Sequence, residues 1–167
     1  MKIIIAKNSQ QSPVGRAWVN GQKPSAVIIR GIPGSGKSTL ASNLESSDWA
    51  NCFHVEADQY WIRPDGQYDF NASKLSDAHN WCFNRFKNSL ADDYIPIVSN
   101  TFVPISHMES YLDVVKDYKE DATVVIIECQ DNFGSIHSVP EETLEKMRKN
   151  FQTDYSSLEK YGTIEYA

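Results

Sequence analysis

The sequence lacks long hydrophobic runs and has few cysteines. No run of about 18 apolar residues occurs, and the apolar start over residues 1–6 is too short for a signal peptide, so neither a membrane span nor a secretory leader is indicated. The three cysteines, Cys52, Cys82 and Cys129, form no CxxC pair and no Cys/His cluster, so neither a disulfide framework nor a zinc site is indicated. We therefore expect a soluble protein of the reducing cytoplasm, with no membrane partner.

Positive charge is also in deficit. The 16 Lys and Arg residues are outnumbered by 22 Asp and Glu residues, which gives a formal net charge of -6. This balance argues against non-specific coating of nucleic acid, so any nucleic-acid contact has to be local. With 167 residues, 41% of them hydrophobic, the chain suffices for one core. We predict one domain over residues 26–151, a lead-in over residues 1–25 that is irregular or an edge strand, and a C-terminal tail over residues 152–167.

Short apolar runs alternate with helical periods from residue 26 onward. This alternation is typical of strand-helix-strand units in a parallel sheet. The runs predict strands over residues 26–30, 52–56, 95–99 and 123–129, and residues 3–5 are a weaker candidate that would pair with residues 16–19. Helical spacing predicts helices over residues 73–91 with Ser73 as the cap, after Pro104, and from Pro140. The expected fold is α/β, a parallel β-sheet of about four to five strands flanked by helices.

A phosphate-binding loop follows the first of these strands. Residues 31–38 match GxxxxGK[ST], and the strand before and helix after them are the context that this motif requires. Glycines let backbone N–H groups converge on a phosphate at a helix N-terminus, Lys37 reaches the β- and γ-phosphates, and the Ser38 hydroxyl is a ligand for Mg²⁺. We predict ATP and Mg²⁺ as cofactors. The predicted nucleotide-binding residues are Gly31, Pro33, Gly34, Ser35, Gly36, Lys37, Ser38 and Thr39.

A carboxylate follows the second predicted strand. Asp58 lies where ligands collect, at the carboxyl end of a parallel strand, and a kinase needs a carboxylate there to orient and deprotonate the acceptor hydroxyl. Asp58 is therefore the predicted catalytic base beside Lys37, and its alternative role is a helix cap. Glu56 is a second candidate for the base, or a ligand of Mg²⁺-bound water.

These motifs together resemble a known family. The loop followed by Asp58-Gln59-Tyr60 is similar to the kinase domain of polynucleotide 5′-hydroxyl kinases and their small P-loop ATP-binding relatives. The resemblance extends through residues 97–102 (Ile-Val-Ser-Asn-Thr-Phe) and 137–142 (His-Ser-Val-Pro-Glu-Glu) and covers roughly residues 26–151. It implies a P-loop NTPase fold, Asp58 as the general base, and a nucleic-acid 5′-hydroxyl as the favoured acceptor.

The sequence departs from the family pattern in places that bear on the acceptor. Gln59 stands where the family often has a second Asp, and Trp61 where some polynucleotide kinases have a phosphate-gripping arginine. The segment 130–137, which we call the lid, contains no arginine. Because an arginine on the transferring phosphate is worth about 10³–10⁵ in rate in related enzymes, we predict slow turnover or a substitute donor. The candidate substitutes are Arg63, Arg148 and Lys149.

Further candidates for acceptor contacts lie at strand ends and in a loop. Asn100 and Thr101 can orient a phosphate or an acceptor, or form an ordinary turn. Glu128 can bind Mg²⁺ or face solvent. Aromatic rings around Arg63 can stack a base or a sugar, or pack the loop onto the domain. These rings are Tyr60, Trp61, Tyr68 and Phe70.

Three functions fit these patterns. The leading one is an ATP-dependent kinase that transfers the γ-phosphoryl group to a hydroxyl, with a nucleic-acid 5′-hydroxyl as the favoured acceptor. The second is a kinase of a nucleoside, a nucleotide or a hydroxymethylated DNA base. The third is a nucleotide-binding regulatory module with little transferase activity. A positive groove leading to Asp58 would favour a polynucleotide, and a closed apolar pocket would favour a small acceptor.

Overall fold

The computed structural model describes residues 1–11, 23–46, 51–134 and 137–167. Its strands are β1 (Lys2–Asn8), β2 (Ala26–Arg30), β3 (Cys52–Val55), β4 (Ile95–Ser99), β5 (Thr123–Cys129) and β6 (Thr163–Tyr166). Its α-helices are α1 (Lys37–Glu45), α2 (Leu75–Ala91), α3 (Glu109–Tyr118) and α4 (Glu141–Asn150). No helix in this described part is long and apolar enough to cross a membrane.

All six strands belong to one parallel sheet in the order β3-β4-β2-β5-β1-β6. Every residue of β2 is buried, and so are all residues of β5 except the first. Strands buried on both faces appear in a sequence as continuous apolar runs, which is why these two were predicted at their observed positions. The α/β fold of the P-loop kinase type is confirmed, with more strands than the four to five expected.

The two additional strands are formed by the ends of the chain. β1 pairs with β5 on one side and β6 on the other, so it lies inside the sheet and is neither irregular nor an edge strand. The expected partner of residues 3–5, residues 16–19, lies outside the described residues. β6 has no fully buried residue, which explains why its sequence carries no apolar pattern. Strand β6 pairs with β1 alone among the described strands, with Lys2 opposite Thr163 and Ile5 opposite Tyr166.

The sheet separates two hydrophobic clusters. On one face, α1 packs Ala41 and Leu44 onto side chains from β1, β2, β4 and β5. On the other face, α2 and α3 bury Phe86 and Leu112, both 0% exposed. Helix α2 begins slightly later than predicted, and Ser73 is not its cap: Lys74 flanks the helix without a side-chain capping bond. Asn71 instead caps a 3-10 turn over Ala72–Lys74 that precedes the helix.

A buried polar cluster joins the end of β2 to the C-terminal tail. The guanidinium of Arg30, 0% exposed, donates to the carbonyls of Phe102 (2.8 Å) and Gln152 (2.6 Å) and to the Tyr155 hydroxyl (2.8 Å). The Tyr155 hydroxyl in turn donates to Glu128 Oε2 at 2.8 Å. Because Arg30 immediately precedes Gly31, this cluster fixes the strand from which the phosphate-binding loop begins.

Candidate functional site

The phosphate-binding loop connects β2 to α1 at the carboxyl edge of the sheet. Its glycines have positive φ angles, 153° at Gly31, 81° at Gly34 and 92° at Gly36, which L side chains rarely adopt. A Cβ on Gly31 would lie 2.4 Å from Ser35 Oγ and 2.8 Å from the carbonyl oxygen of Cys129. The loop therefore needs glycine at Gly31 for space as well as for backbone conformation.

Lys37 is the first residue of α1, and its side chain turns back over the loop. Its Nζ donates to the carbonyl of Ile32 at 2.9 Å. Burial lowers the pKa of Lys37, and the nearby Cys129, Glu56 and Asp58 act in the opposite direction. The ammonium thus lies against the loop, in the electrostatic field of two carboxylates, where it can pair with phosphate oxygens.

Ser38 belongs to a chain of hydrogen bonds that ends at Glu56. Ser38 Oγ and Ser99 Oγ donate to Glu56 Oε2 at 2.7 and 2.8 Å, and His54 Nε2 lies 2.8 Å from Ser99 Oγ. Burial alone would raise the pKa of Glu56, but hydrogen bonds involving His54, Ser38 and Ser99 outweigh it and leave the pKa lowered. Glu56 is therefore a stable carboxylate beside the hydroxyl predicted to bind Mg²⁺, and these hard oxygen atoms fit a hydrated Mg²⁺.

The participation of His54 and Ser99 was not predicted from the sequence. His54 is two residues before Glu56, so the two side chains share one side of the extended backbone, and Ser99 ends the neighbouring strand β4. Adjacent strand ends in a parallel sheet bring such residues together. The strand pairing between β3 and β4, which the sequence does not reveal, is the information that was missing.

Asp58 lies in a 3-10 turn, Ala57–Trp61, that follows β3. The residue at the start of this turn is Glu56, so Asp58 is not its cap and the alternative role proposed for it is not supported. The Gln59 side chain accepts a hydrogen bond from the backbone N–H of Glu56 at 3.3 Å. Gln59, where the family often has a second Asp, thus stabilises the turn that presents Asp58.

Two other segments meet at the Asp58 carboxylate. The hydroxyl of Tyr68 faces Oδ1 at 3.4 Å, and Nε2 of His137, from the lid, lies 3.7 Å from Oδ2. The rings of Tyr68 and His137 are stacked with centroids 4.2 Å apart. The Asp58 side chain is nevertheless 51% exposed, so an acceptor hydroxyl can reach it.

The residues predicted to contact the acceptor have different environments. Asn100 is 8% exposed, and its Oδ1 accepts from the backbone N–H of Ala57 at 2.9 Å, so it supports the turn beneath Asp58. Thr101, half-buried, lines an open groove of about 300 Å³ between the segment after β4 and α4. The other lining residues are Val103, Pro104, His107, Thr143, Lys146, Met147 and Asn150.

Trp61 does not have the position predicted for a residue that contacts the acceptor. It is 4% exposed, with its ring packed edge-on against Tyr60 and Phe70 at centroid distances of 5.0 and 5.2 Å. A ring enclosed in this way cannot stack on an acceptor base, so Trp61 belongs to the core. Arg63 is exposed and its Nη1 lies 3.9 Å from Asp69 Oδ2, on the loop behind Asp58.

Two other charged candidates are engaged elsewhere. Arg148 pairs with Glu141 of its own helix at 2.7 Å. Glu128, considered as a Mg²⁺ ligand or a solvent-facing carboxylate, is neither: it is 5% exposed and bonded to Tyr155, with Arg30 at 3.7 Å. Its side chain lies on the α2 and α3 face of the sheet with that of Ile126, away from α1.

The chain has relatives among known sequences and structures. A family model described as AAA domain matches residues 27–153. NEDD4-binding protein 2 from Homo sapiens is 29% identical over 137 residues, and the match covers 75% of this chain and 8% of that protein. This chain thus spans a small part of that relative.

Two solved structures are similar. The structure of a Pnkp1/Rnl/Hen1 complex superposes with a TM-score of 0.51 at 20% identity, covering 82% of this chain and 44% of the other. A gluconokinase from Sinorhizobium meliloti 1021 gives a TM-score of 0.49 at 15% identity, covering 86% of this chain and 81% of the other. The likeness to the first structure shows a shared fold.

Proposed function

Because the chain belongs to the AAA domain family and has a P-loop kinase-like fold, we propose that it is an ATP-dependent kinase. It transfers the γ-phosphoryl group to a hydroxyl, and the favoured acceptor is a nucleic-acid 5′-hydroxyl. The observation that carries this proposal is the position of an exposed carboxylate, Asp58, two residues after a Glu56 already bonded to the phosphate-loop hydroxyl of Ser38. This arrangement supports a donor site and an acceptor base that lie side by side.

In this proposal the loop holds the β- and γ-phosphates. Backbone N–H groups of the loop and the Lys37 ammonium donate to the phosphate oxygens, and Lys37 exchanges its bond to Ile32 for one to a phosphate. Ser38 and Glu56 would hold Mg²⁺, directly or through water, and bound Mg²⁺ would neutralise charge on the transferring phosphoryl group. Because its pKa is lowered, Glu56 supplies a negative charge without first losing a proton at neutral pH.

Asp58 accepts the proton of the acceptor hydroxyl. As that proton leaves, the acceptor oxygen forms a bond to the γ-phosphorus, and the bond from the γ-phosphorus to the β,γ-bridging oxygen breaks to release ADP. Tyr68 and His137 flank the two carboxylate oxygens and restrict the orientation of Asp58. Positioned general bases of this kind typically contribute about 10²–10⁴ in rate.

An extended acceptor is favoured by the groove beside Thr101. The groove is open, and its lining includes Lys146 and His107, which can meet the phosphates of a strand. Thr101 follows Asn100, whose side chain accepts from the backbone N–H of Ala57, the residue before Asp58. The groove and Asp58 therefore both lie where the adjacent parallel strands β3 and β4 end. A chain with net charge -6 would then contact nucleic acid locally, through a few donors.

The test is transfer of radiolabelled γ-phosphate from ATP with Mg²⁺ to a panel of acceptors. The panel contains 5′-hydroxyl DNA and RNA oligonucleotides, nucleosides, and DNA with a hydroxymethylated base. We expect label on a 5′-hydroxyl oligonucleotide, loss of nucleotide binding or transfer in Lys37→Ala, and retained ATP binding with about 10²–10⁴-fold slower transfer in Asp58→Asn.

Asp65→Asn, an exposed carboxylate in the neighbouring loop, is the matched control and should transfer normally. Label on a nucleoside or on the hydroxymethylated base alone would move the proposal to the smaller acceptor. Tight ATP binding with no label on any acceptor would refute the kinase proposal and favour a nucleotide-gated regulatory module, a function consistent with the arginine-free lid.

A further inference from the structure

Phe133 of the lid is an exposed aromatic ring placed against the phosphate-binding loop. Its side chain is 58% exposed, and it belongs to neither hydrophobic cluster of the described chain. Its backbone N–H donates to the carbonyl of Gly34 at 2.8 Å. Packing into the core therefore does not account for a large apolar ring at this place.

The ring also lies over the first turn of α1. A Cβ on Gly36 would be 3.0 Å from Phe133 Cε2, so the ring edge approaches the glycine backbone where the loop becomes a helix. The Asn132 side chain accepts from the N–H of Gly134 at 3.3 Å, which holds the turn around Phe133. An aromatic face is thus fixed at the rim of the loop by backbone contacts, with most of it open to solvent.

Polar contacts join the start of the lid, just before Phe133, to the end of β1. The backbone N–H of Gln10 donates to Asp131 Oδ2 at 2.9 Å, and the N–H of Gln130 donates to the carbonyl of Asn8 at 3.0 Å. These bonds join the lid to the end of β1, which occupies the sheet position beyond β5. Sites for small ligands typically combine aromatic surface with a few polar groups, and the lid offers both.

We propose that Phe133 is the stacking surface for the nucleobase of the nucleoside triphosphate whose phosphates occupy the loop. A triphosphate held by Lys37 and the loop N–H groups has to leave the loop past its rim, and Phe133 is the exposed ring found there. Stacking on a ring tolerates every base, so this contact by itself does not distinguish adenine from guanine. This inference rests on the donor half of the proposed function and does not depend on transfer to an acceptor.

The experiment compares the binding of ATP and of inorganic tripolyphosphate, each with Mg²⁺, by calorimetry without any acceptor. Tripolyphosphate has the phosphates but no base. We expect Phe133→Ala to weaken ATP binding about 5- to 150-fold, the equivalent of one stacked base, and to leave tripolyphosphate binding within about twofold. Phe133→Tyr, which keeps the ring, should bind ATP as the parent does.

Two further variants separate stacking from bracing of the loop. Phe133→Leu keeps an apolar side chain over Gly36 without an aromatic face, and it should lose ATP affinity as Phe133→Ala does. Tyr166→Ala removes a ring that is 71% exposed in β6 and should change neither affinity. Equal losses for ATP and tripolyphosphate, parental ATP affinity in Phe133→Leu, or a parent that binds no ATP would each overturn the inference. ATP binding that depends on Phe133, without transfer to any acceptor, would support it while refuting the kinase proposal.

Discussion

Replacing Arg30 with methionine should destabilise the protein severely, although Arg30 is no part of the proposed chemistry. The guanidinium is fully buried and donates to two backbone carbonyls within 2.8 Å and to the hydroxyl of Tyr155. Its Nη1 also lies 3.7 Å from Glu128, itself 5% exposed. Methionine has a similar length but no donor, so the variant leaves these acceptors and a buried carboxylate without their cation.

The expected cost follows from that burial. Breaking a buried ion pair by removing one partner typically costs about 3–5 kcal/mol. In a protein of this size, about 1 kcal/mol shifts Tm by roughly 2–4 °C, so Arg30→Met should lower Tm by about 6–20 °C. Urea denaturation followed by circular dichroism measures the loss of unfolding free energy directly.

Two other variants control this prediction. Arg30→Met combined with Glu128→Gln removes the uncompensated charge and should recover part of the loss, since replacing both members of a buried pair is far less costly than removing one. Arg148→Met breaks an exposed pair with Glu141 and should cost about 0–1 kcal/mol. If Arg30→Met cost no more than Arg148→Met, or if the double variant recovered nothing, the structural role assigned to Arg30 would be wrong.

Two further predictions concern the site. Gly31→Ala should weaken tripolyphosphate binding at least tenfold, because its Cβ would meet Ser35 Oγ and the Cys129 carbonyl. Gly66→Ala is the control: Gly66 has a φ of 83°, but an added Cβ would meet nothing within 4 Å, so binding should be unchanged. Equal effects of the two substitutions would refute the steric argument. The free energy of unfolding should depend on pH through Glu56: its lowered folded-state pKa stabilises the protein above the ordinary value of 4.5, and this contribution disappears as pH falls through the folded-state pKa. Denaturation at several pH values should therefore show parent and Glu56→Gln converging in acid, and a constant difference would contradict this assignment.

The fully buried strands and the phosphate loop could be predicted from local sequence because local chemistry defines them. The continuous apolar runs of β2 and β5 and the spacing of Gly31, Gly36, Lys37 and Ser38 are each contained within a few residues. The resemblance to P-loop kinases built on these motifs is confirmed by the family match over residues 27–153. The roles of Lys37 and Asp58 remain predictions that the transfer and binding experiments test.

The environment of the other candidates could not be predicted in this way. The local sequence pattern around Trp61 would be the same whether its ring faced a ligand or the core. The packing of Phe70 and Tyr60 against the ring decides that it faces the core. Glu128 resembles any strand-end carboxylate until Arg30 and Tyr155 meet it. These contacts are made between residues distant in sequence, so no local pattern reports them.

The sequence by itself determined the α/β class and the glycine-rich loop, since continuous apolar runs define the one and backbone conformations that glycine adopts easily define the other. It also supplied Asp58 as the candidate base, a role that stays a prediction. Only the tertiary structure decided that β1 lies inside the sheet, that His54 and Ser99 support Glu56, and that Phe133 stands over the loop. Strand order and lid position follow from burying apolar area and satisfying polar groups across the whole chain at once. Those requirements act between residues that are far apart in sequence, and the folded chain alone brings them together.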